Sequence, residues 1–521
     1  MTGLWQFHVG EFSSEAFPDC SKFSKASAKK SLHAKLHATT GSAAERAKAA
    51  AAASGVVDTT PWTMVYDEGF DVVLGLGSTM DKWNAFAFNK YELEKGGKME
   101  KSYCAETMPG WIHDGTGDAA PTMWACYVAE RSQTEEATEF MAHPPLTLLG
   151  ELDDEEVDDV DADTNEFPVA VHEHDDDVYH VDHEWLHALN EASDSWSASE
   201  YPELFEGKTF LELQALAGGR LHHRQAKDVS MAAQAKDETA QAKGPAKRAA
   251  DVPEGLPTKF DWRAVDLKDG KGVQNFDSPV RNQGFCGSCY IVSTVSAIEA
   301  RVRVQTRNAW KPQLSAQQLL DCSNGNYAQG CDGGFPYLAL KWVHDNGGIA
   351  LESCAPYVGK RPVVPGRKEA ANKFCPAECR SKLAVSVNNF GYVGGAYGEC
   401  DVQGMMRELH DNGPIPIALE VGHDFMHYKS GVYDTPAKNP KKNLEDSKNH
   451  WMITDHAVVL IGWGTDEETG KDYWLVKNSW SPRWGENGYF RIARGKDLLH
   501  IESQAVRFQT RILDPEFTSY N

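Results

Sequence analysis

A chain of 521 residues is too long for one compact domain, and its length points to two to four units. With 76 acidic against 52 basic residues the net charge is −24, which argues against nucleic acid as a partner. No apolar run reaches membrane-spanning length, so no segment is expected to cross a bilayer.

In chain order, residues 1–145 read as a β-rich unit. Thr63-Met-Val-Tyr66, Asp71-Val-Val-Leu74 and Trp83-Asn-Ala-Phe-Ala-Phe88 carry strand-like apolar patterns, with turn residues such as Asp67-Glu-Gly69 between them. The stretch 24–54 is dominated by Ala, Lys and Ser and is expected to be a solvated insert, helical or without regular structure. Residues 146–252 form a second unit, beginning with an acidic linker at 146–180. His172, His174, His180 and His183 fall in and beside that linker, where solvated side chains are favoured over metal ligands, and no metal is expected. From His183 to Leu216 the pattern turns helical, with Trp185, Leu186, Leu189, Trp196, Phe205, Phe210 and Leu213 at candidate buried positions. A basic, Ala-rich linker at 220–252 closes this unit. Both linkers lack the apolar content to pack, so proteolytic maturation is expected on either side of 180–220. Residues 253–521 form the third unit.

Eleven cysteines, most of them in the C-terminal half, suggest an oxidising, secretory-pathway protein. The chain opens Met-Thr-Gly-Leu-Trp-Gln-Phe-His, which has no signal-peptide pattern. The two observations together lead to the expectation that the native N-terminus is longer and carries a signal peptide.

Chemistry concentrates in three places of the third unit: Gln283-Gly-Phe-Cys-Gly-Ser-Cys289-Tyr290, Asp455-His456-Ala457 and Asn478-Ser479-Trp480. A thiol, an imidazole and a carboxamide that orients the imidazole are the parts of a nucleophilic cysteine site. A thiol is mostly protonated at neutral pH and the thiolate is the nucleophile. A helix starting at Cys289 would place the sulfur at the positive end of a macrodipole. His456 as imidazolium would hold the thiolate, Asn478 would fix the orientation of His456, and Trp480 would screen that bond from water. Gln283 and the backbone N–H of Cys289 would donate to a developing oxyanion, a contribution of roughly 3 to 4 kcal/mol per donor. Cys286 and Cys289 also fit a C-x-x-C redox or zinc pair, with His456 an ordinary core histidine; the ordered set of segments favours the nucleophilic reading.

These segments, with Ser278-Pro-Val-Arg-Asn282, Cys331-Asp-Gly-Gly334, Trp484-Gly-Glu-Asn-Gly-Tyr489 and Leu256-Pro-Thr-Lys-Phe-Asp-Trp-Arg263, resemble the papain family of cysteine peptidases. The resemblance implies an α+β fold: a papain-like two-lobe catalytic domain, helical on the left and β-barrel-like on the right. It also implies that backbone groups of Gly334 and Asp455, beside Trp480, hold the substrate.

Gly3-Leu-Trp-Gln-Phe-His-Val-Gly10, Val65-Tyr-Asp-Glu-Gly-Phe70, Gly110-Trp-Ile-His-Asp114 and Met123-Trp-Ala-Cys126 narrow the resemblance to the cathepsin C (dipeptidyl peptidase I) branch. Tyr327-Ala-Gln-Gly-Cys331, Gly334-Phe-Pro-Tyr337 and Tyr392-Val-Gly-Gly395 carry the same resemblance in the catalytic half. For this chain the resemblance implies a β-barrel exclusion domain, a partly helical pro-region and release of dipeptides from peptide and protein substrates with free N-termini. It further implies a chloride ion at Phe335, Tyr337 and Tyr392, an activating protease, a homo-tetramer, and a lysosome-like vacuole or secretion as the destination, with no metal or organic cofactor. By resemblance the disulfides are Cys20–Cys126, Cys286–Cys331, Cys322–Cys375 and Cys354–Cys379, with Cys289 and Cys400 reduced. The branch also has an N-terminal aspartate that binds the substrate ammonium and a cysteine that pairs with the Cys104 position; both are expected upstream of Met1. Ser481-Pro-Arg-Trp484 departs from a Gly-rich turn. Two other readings stay open: a papain-like endopeptidase, and a catalytically silent binding homologue.

Overall fold

The computed structural model describes residues 3–14, 20, 23–36, 57–58, 60–65, 69–75, 82–93, 99–114, 121–131, 178–217, 252–268, 270–323, 327–359, 375–395, 400–434 and 454–521. Alternation writes the N-terminal sheet. In the strand Gly3–Val9, Trp5, Phe7 and Val9 are buried while Gln6 and His8 are half-buried, the two-residue period of a one-sided sheet. That strand lies between Lys30–Leu36 and Trp124–Arg131, both antiparallel to it. The sheet continues through Met99–Thr107, Lys82–Leu93, Gly69–Gly75 and Thr60–Val65, with Val57–Asp58 beyond Lys30–Leu36 and Gly110–His113 joining Lys82–Leu93 to Trp124–Arg131. The result is a nine-stranded half-barrel whose core includes Val72, Ala85, Ile112, Ala125, Tyr127 and Ala129. Cys20 and Cys126 are disulfide-bonded at its rim.

One expectation needs correction here. The stretch 24–54 is not throughout a helical or irregular insert: after a single 3-10 turn at Lys25–Ser27, Lys30–Leu36 is a strand in seven-residue register with Gly3–Val9. Its Ala/Lys composition is poor strand material, but pairing with a buried neighbour overrides intrinsic preference. Residues 37–54 lie outside the described residues.

The segment 178–217 is helical where its apolar spacing is helical. Asp182 caps His183–Ala192 by accepting the Trp185 N–H, and Leu186 and Leu189 face inward. Trp196, Phe205 and Leu213 are buried as expected, while Trp185 is half-buried and the Phe210 side chain lies outside the described set. The helical pattern nevertheless breaks at Trp196–Ala198, a strand that pairs antiparallel with Tyr428–Tyr433. The pairing extends a seven-stranded sheet through Tyr489–Ala493, Asp472–Lys477, His456–Thr465 and Phe260–Asp261, with Ile415–Leu419 on His456–Thr465. The Trp196 indole N–H donates to the Asp434 carbonyl, Tyr201 donates to the Tyr428 carbonyl, and the Tyr179 hydroxyl meets His427 Nε2 at 2.8 Å.

Opposite that sheet stand the helices Cys289–Gln305, Ala316–Cys322 and Pro336–Asp345. The Cys289–Gln305 helix is buried from Cys289 through Arg303, the signature of a central helix covered on every side. Disulfides join Cys286 to Cys331, Cys322 to Cys375 and Cys354 to Cys379, and Cys289 is a free cysteine. All four pairings match the expectation. The Cys104 side chain and the loop 435–453 lie outside the described residues. Among the described residues no helix is long and apolar enough to cross a membrane.

Candidate active site

The two lobes meet at the first residue of the central helix. Cys289 opens that helix, so its sulfur stands where the helix presents unbonded N–H groups. Facing it, His456 begins the strand His456–Thr465, and Asn478 follows the end of Asp472–Lys477, the neighbouring strand in the ladder. The ladder therefore sets the two side chains beside each other, and His456 Nε2 lies 2.8 Å from Asn478 Oδ1. That contact assigns the proton to Nε2, leaving Nδ1 as the nitrogen that can take a proton from sulfur; Nδ1 is buried and makes no hydrogen bond in this state. The Trp480 ring stacks on His456 at 4.9 Å and 25°, closing the histidine–asparagine contact to water.

Gln283, fully buried, is fixed from both ends. Its Oε1 accepts from the Ser479 hydroxyl at 2.5 Å, and its Nε2 donates to the Cys286 carbonyl at 3.1 Å. The same Nε2 also donates to the carbonyls of Ala215 and Leu216 at 3.3 and 3.2 Å, and the Trp480 indole N–H donates to the Leu216 carbonyl at 2.9 Å. The end of the helix Phe210–Leu216 thus lies on the carboxamide donor and the screening indole together.

This cover sets the protonation state beneath it. Burial pushes the Cys289 thiol up to about 12, only partly offset by the Ala457 N–H that donates to Sγ at 3.4 Å. Burial likewise lowers His456 to about 4, against the contact with Asn478 that favours its charged form. The covered site therefore holds a neutral thiol beside a neutral imidazole, the unreactive form of the pair.

Gly334 approaches the cleft where a Cβ would come within 2.8 Å of the Tyr290 ring, which requires glycine there. Cys289, Gly334, Phe335, Pro336, Ala418, Thr454, Asp455, His456 and Ala457 line one continuous recess. The Asp455 backbone N–H donates to the Leu419 carbonyl. Its carboxylate accepts from the Val421 N–H, and burial pushes it well above the usual carboxylate range. Phe335 caps the ten-residue helix Pro336–Asp345, and Tyr337 stacks on Tyr392 at 4.9 Å and 14°. All three rings are buried.

Sequence reasoning singled out Cys289, His456, Asn478, Gln283 and Trp480, and the structure brings them together. It did not single out Ser479 or the pro-segment carbonyls of Ala215 and Leu216. Ser479 stands inside the motif Asn478-Ser479-Trp480, which was its signal. A carbonyl gives no signal, since every residue carries one.

Residues 256–508 match the family described as papain family cysteine protease, and residues 1–131 match the cathepsin C exclusion domain. Cathepsin C of Schistosoma mansoni is 31% identical over 451 residues, covering 86% of this chain and 83% of its own. Pro-cathepsin H of Mus musculus is 36% identical over 251 residues, covering 48% of this chain and 64% of its own. Among solved structures, digestive procathepsin L 3 of Tenebrio molitor larval midgut superposes with a TM-score of 0.43 at 23% identity, covering 63% of this chain and 87% of that one.

Proposed function

The chain belongs to the cathepsin C family of papain-like cysteine peptidases, and from that premise we propose that it removes dipeptides from the free N-termini of peptides and proteins. The observation that carries the reading is an exclusion domain joined in one chain to an assembled thiol–imidazole–carboxamide site. Cys289 is the nucleophile. Once the pro-segment leaves, the Sγ proton passes to His456 Nδ1 and the thiolate attacks the scissile carbonyl carbon. The Gln283 carboxamide and the Cys289 N–H receive the oxyanion, and Asn478 holds the imidazolium in line. His456 then gives its proton to the departing amine. Water, deprotonated by the same imidazole, cleaves the thioester and returns the thiol. The Gly334 backbone and the Asp455 carbonyl hold the substrate main chain, with Trp480 beside the leaving group.

The donors at Phe335, Tyr337 and Tyr392 fit a chloride ion: an N-terminal helix turn and two phenols in an apolar, buried setting. When bound, chloride would supply a fixed negative charge that orders the two tyrosines beside the cleft. Units at 1–145, 146–252 and 253–521, an activating protease, assembly as a homo-tetramer, and residence in a lysosome-like vacuole or outside the cell belong to the same reading.

A dipeptidyl fluorogenic amide assayed beside its N-acetylated twin tests it. Turnover of the free-amine form alone is expected. Turnover of both would favour an endopeptidase, and turnover of neither a silent homologue.

A further inference from the structure

A second cluster of buried titratable groups lies between the exclusion domain and the peptidase domain, away from the thiol. Asn84 and His113 are direct partners in the ladder between Lys82–Leu93 and Gly110–His113, so both point to the same face of the sheet. Lys341 and Asp345 stand four residues apart on the helix Pro336–Asp345, so both point to the same face of the helix. The two faces meet. His113 Nε2 lies 3.1 Å from Asp345 Oδ2, the Lys341 ammonium donates to Asn84 Oδ1, and Lys341 lies 3.2 Å from Asp345. Tyr327 donates to Asp345 Oδ2 at 2.7 Å and His344 Nδ1 meets Oδ1 at 2.8 Å, so four side chains converge on one carboxylate. The Asp345 side chain is wholly buried, and Asn84, His113, Lys341, His344 and Tyr327 are buried with it. Around the cluster Trp111 packs on Tyr327 at 5.8 Å and Trp124 lies 4.7 Å from His113.

The charges are settled by the neighbours. Burial pushes the Asp345 carboxyl up, but His113 and Lys341 prevail and hold it well below the usual carboxylate range. Burial lowers His113 against the pull of Asp345. The Asp345 carboxylate therefore faces Lys341 and His113 in a dry interface, where removing one partner alone is costly and the hydrogen-bond directions fix a single docking geometry.

The helix that carries this cluster at its C-terminal end carries the cleft at its other end, where Gly334, Phe335 and Pro336 line the recess beside Cys289. Ten helical residues span about 15 Å, so one rigid strut joins the exclusion domain's seat to the substrate's. We propose that His113, Asn84, Lys341 and Asp345 form a positioning latch that fixes where the exclusion domain stands over the cleft, and so sets the ratio of dipeptide release to internal cleavage. The proposal rests on the dipeptidyl reading above. None of the four touches the reacting atoms; they act through the wall they hold.

The test measures kcat/KM per titrated active site, counted with an E-64-type epoxide, for a free-amine dipeptidyl amide and its N-acetylated twin. It uses the full chain after proteolytic activation. His113→Ala, and the double variant Lys341→Met with Asp345→Leu, which leaves no lone charge, should each lower the free-to-blocked ratio at least tenfold by raising turnover of the blocked substrate. His113→Gln, whose amide can still donate to Asp345, should restore most of the ratio. Simple loss of stability would reduce the count of active sites without creating blocked-substrate turnover. A wild-type enzyme that discriminates, with both variants keeping its ratio, overturns the latch alone. A wild-type enzyme that cleaves both substrates alike overturns the dipeptidyl reading itself, and the latch with it.

Discussion

Trp480 donates its indole N–H to the Leu216 carbonyl at 2.9 Å while its ring lies 4.9 Å from His456. The residue that keeps water from the histidine–asparagine pair is therefore also a residue that the pro-segment grips. Leu213 and Leu216 are buried on that helix. Truncating both should weaken inhibition by a peptide spanning 178–217, added to the mature enzyme, by about two orders of magnitude. That figure corresponds to roughly 3 kcal/mol, less than the sum for two fully buried leucines because each keeps part of its packing within the peptide. An unchanged inhibition constant would show that the grip lies elsewhere.

Gln283→Ala should lower kcat by about a hundred- to a thousandfold with little change in KM, since the carboxamide meets the oxyanion only as charge develops. Ser479→Ala frees Gln283 Oε1 and should cost roughly tenfold by the loss of one orienting hydrogen bond. Steady-state kinetics on the free-amine amide separates the two. A KM effect in place of a kcat effect would remove Gln283 from the oxyanion.

Cys289 in the uncleaved chain should resist iodoacetamide from pH 5 to 8, because its thiol is pushed up to about 12, and should react at least a hundredfold faster after processing. Uncovering moves the pair's one proton from sulfur to imidazole without exchange with solvent. Pro-segment affinity should thus change little over that range through this pair. Cys289→Ala should leave less than about one per cent of turnover.

Global unfolding of the uncleaved chain behaves differently. The folded His456, at about 4, binds fewer protons than an unfolded histidine near 6.5, so protons favour unfolding between those values. Its contribution is absent above about pH 6.5 and grows as a loss toward pH 4, reaching roughly 3 kcal/mol. Thermal melts of Cys289→Ala should fall across that window, and the fall should be smaller when His456→Gln is added. Equal slopes would assign the loss to other groups.

Ser481 occupies a left-handed backbone conformation at φ 80° and is buried. Ser481→Gly should raise stability by about 1 kcal/mol, read as a higher denaturant midpoint, because glycine alone takes that region without strain. A lower midpoint would mean that the contact of its Oγ with the Arg483 N–H outweighs the strain.

The active-site residues were legible because their chemistry constrains their type: a thiol, an imidazole and two carboxamides have few substitutes. The four disulfides were legible only through family resemblance. What depends on a distant partner was not. Lys30–Leu36 is a strand because Gly3–Val9 lies beside it, and Trp196–Ala198 is one because Tyr428–Tyr433 does. Lys341 and Asp345 were not singled out, because nothing in an i,i+4 spacing says that a sheet will bring His113 and Asn84 onto them.

The strand Trp196–Ala198 has a consequence for the enzyme after maturation. If processing removes it, the right-hand sheet loses its outermost ribbon and the main-chain donors and acceptors of Tyr428–Tyr433 are bared. An open edge of that kind invites pairing with any extended peptide. Lys429, exposed near the start of the strand, places a charge where such a guest would have to lie. The segment that silences the enzyme thus also shelters its stickiest border, and Lys429 is the guard left behind when it goes.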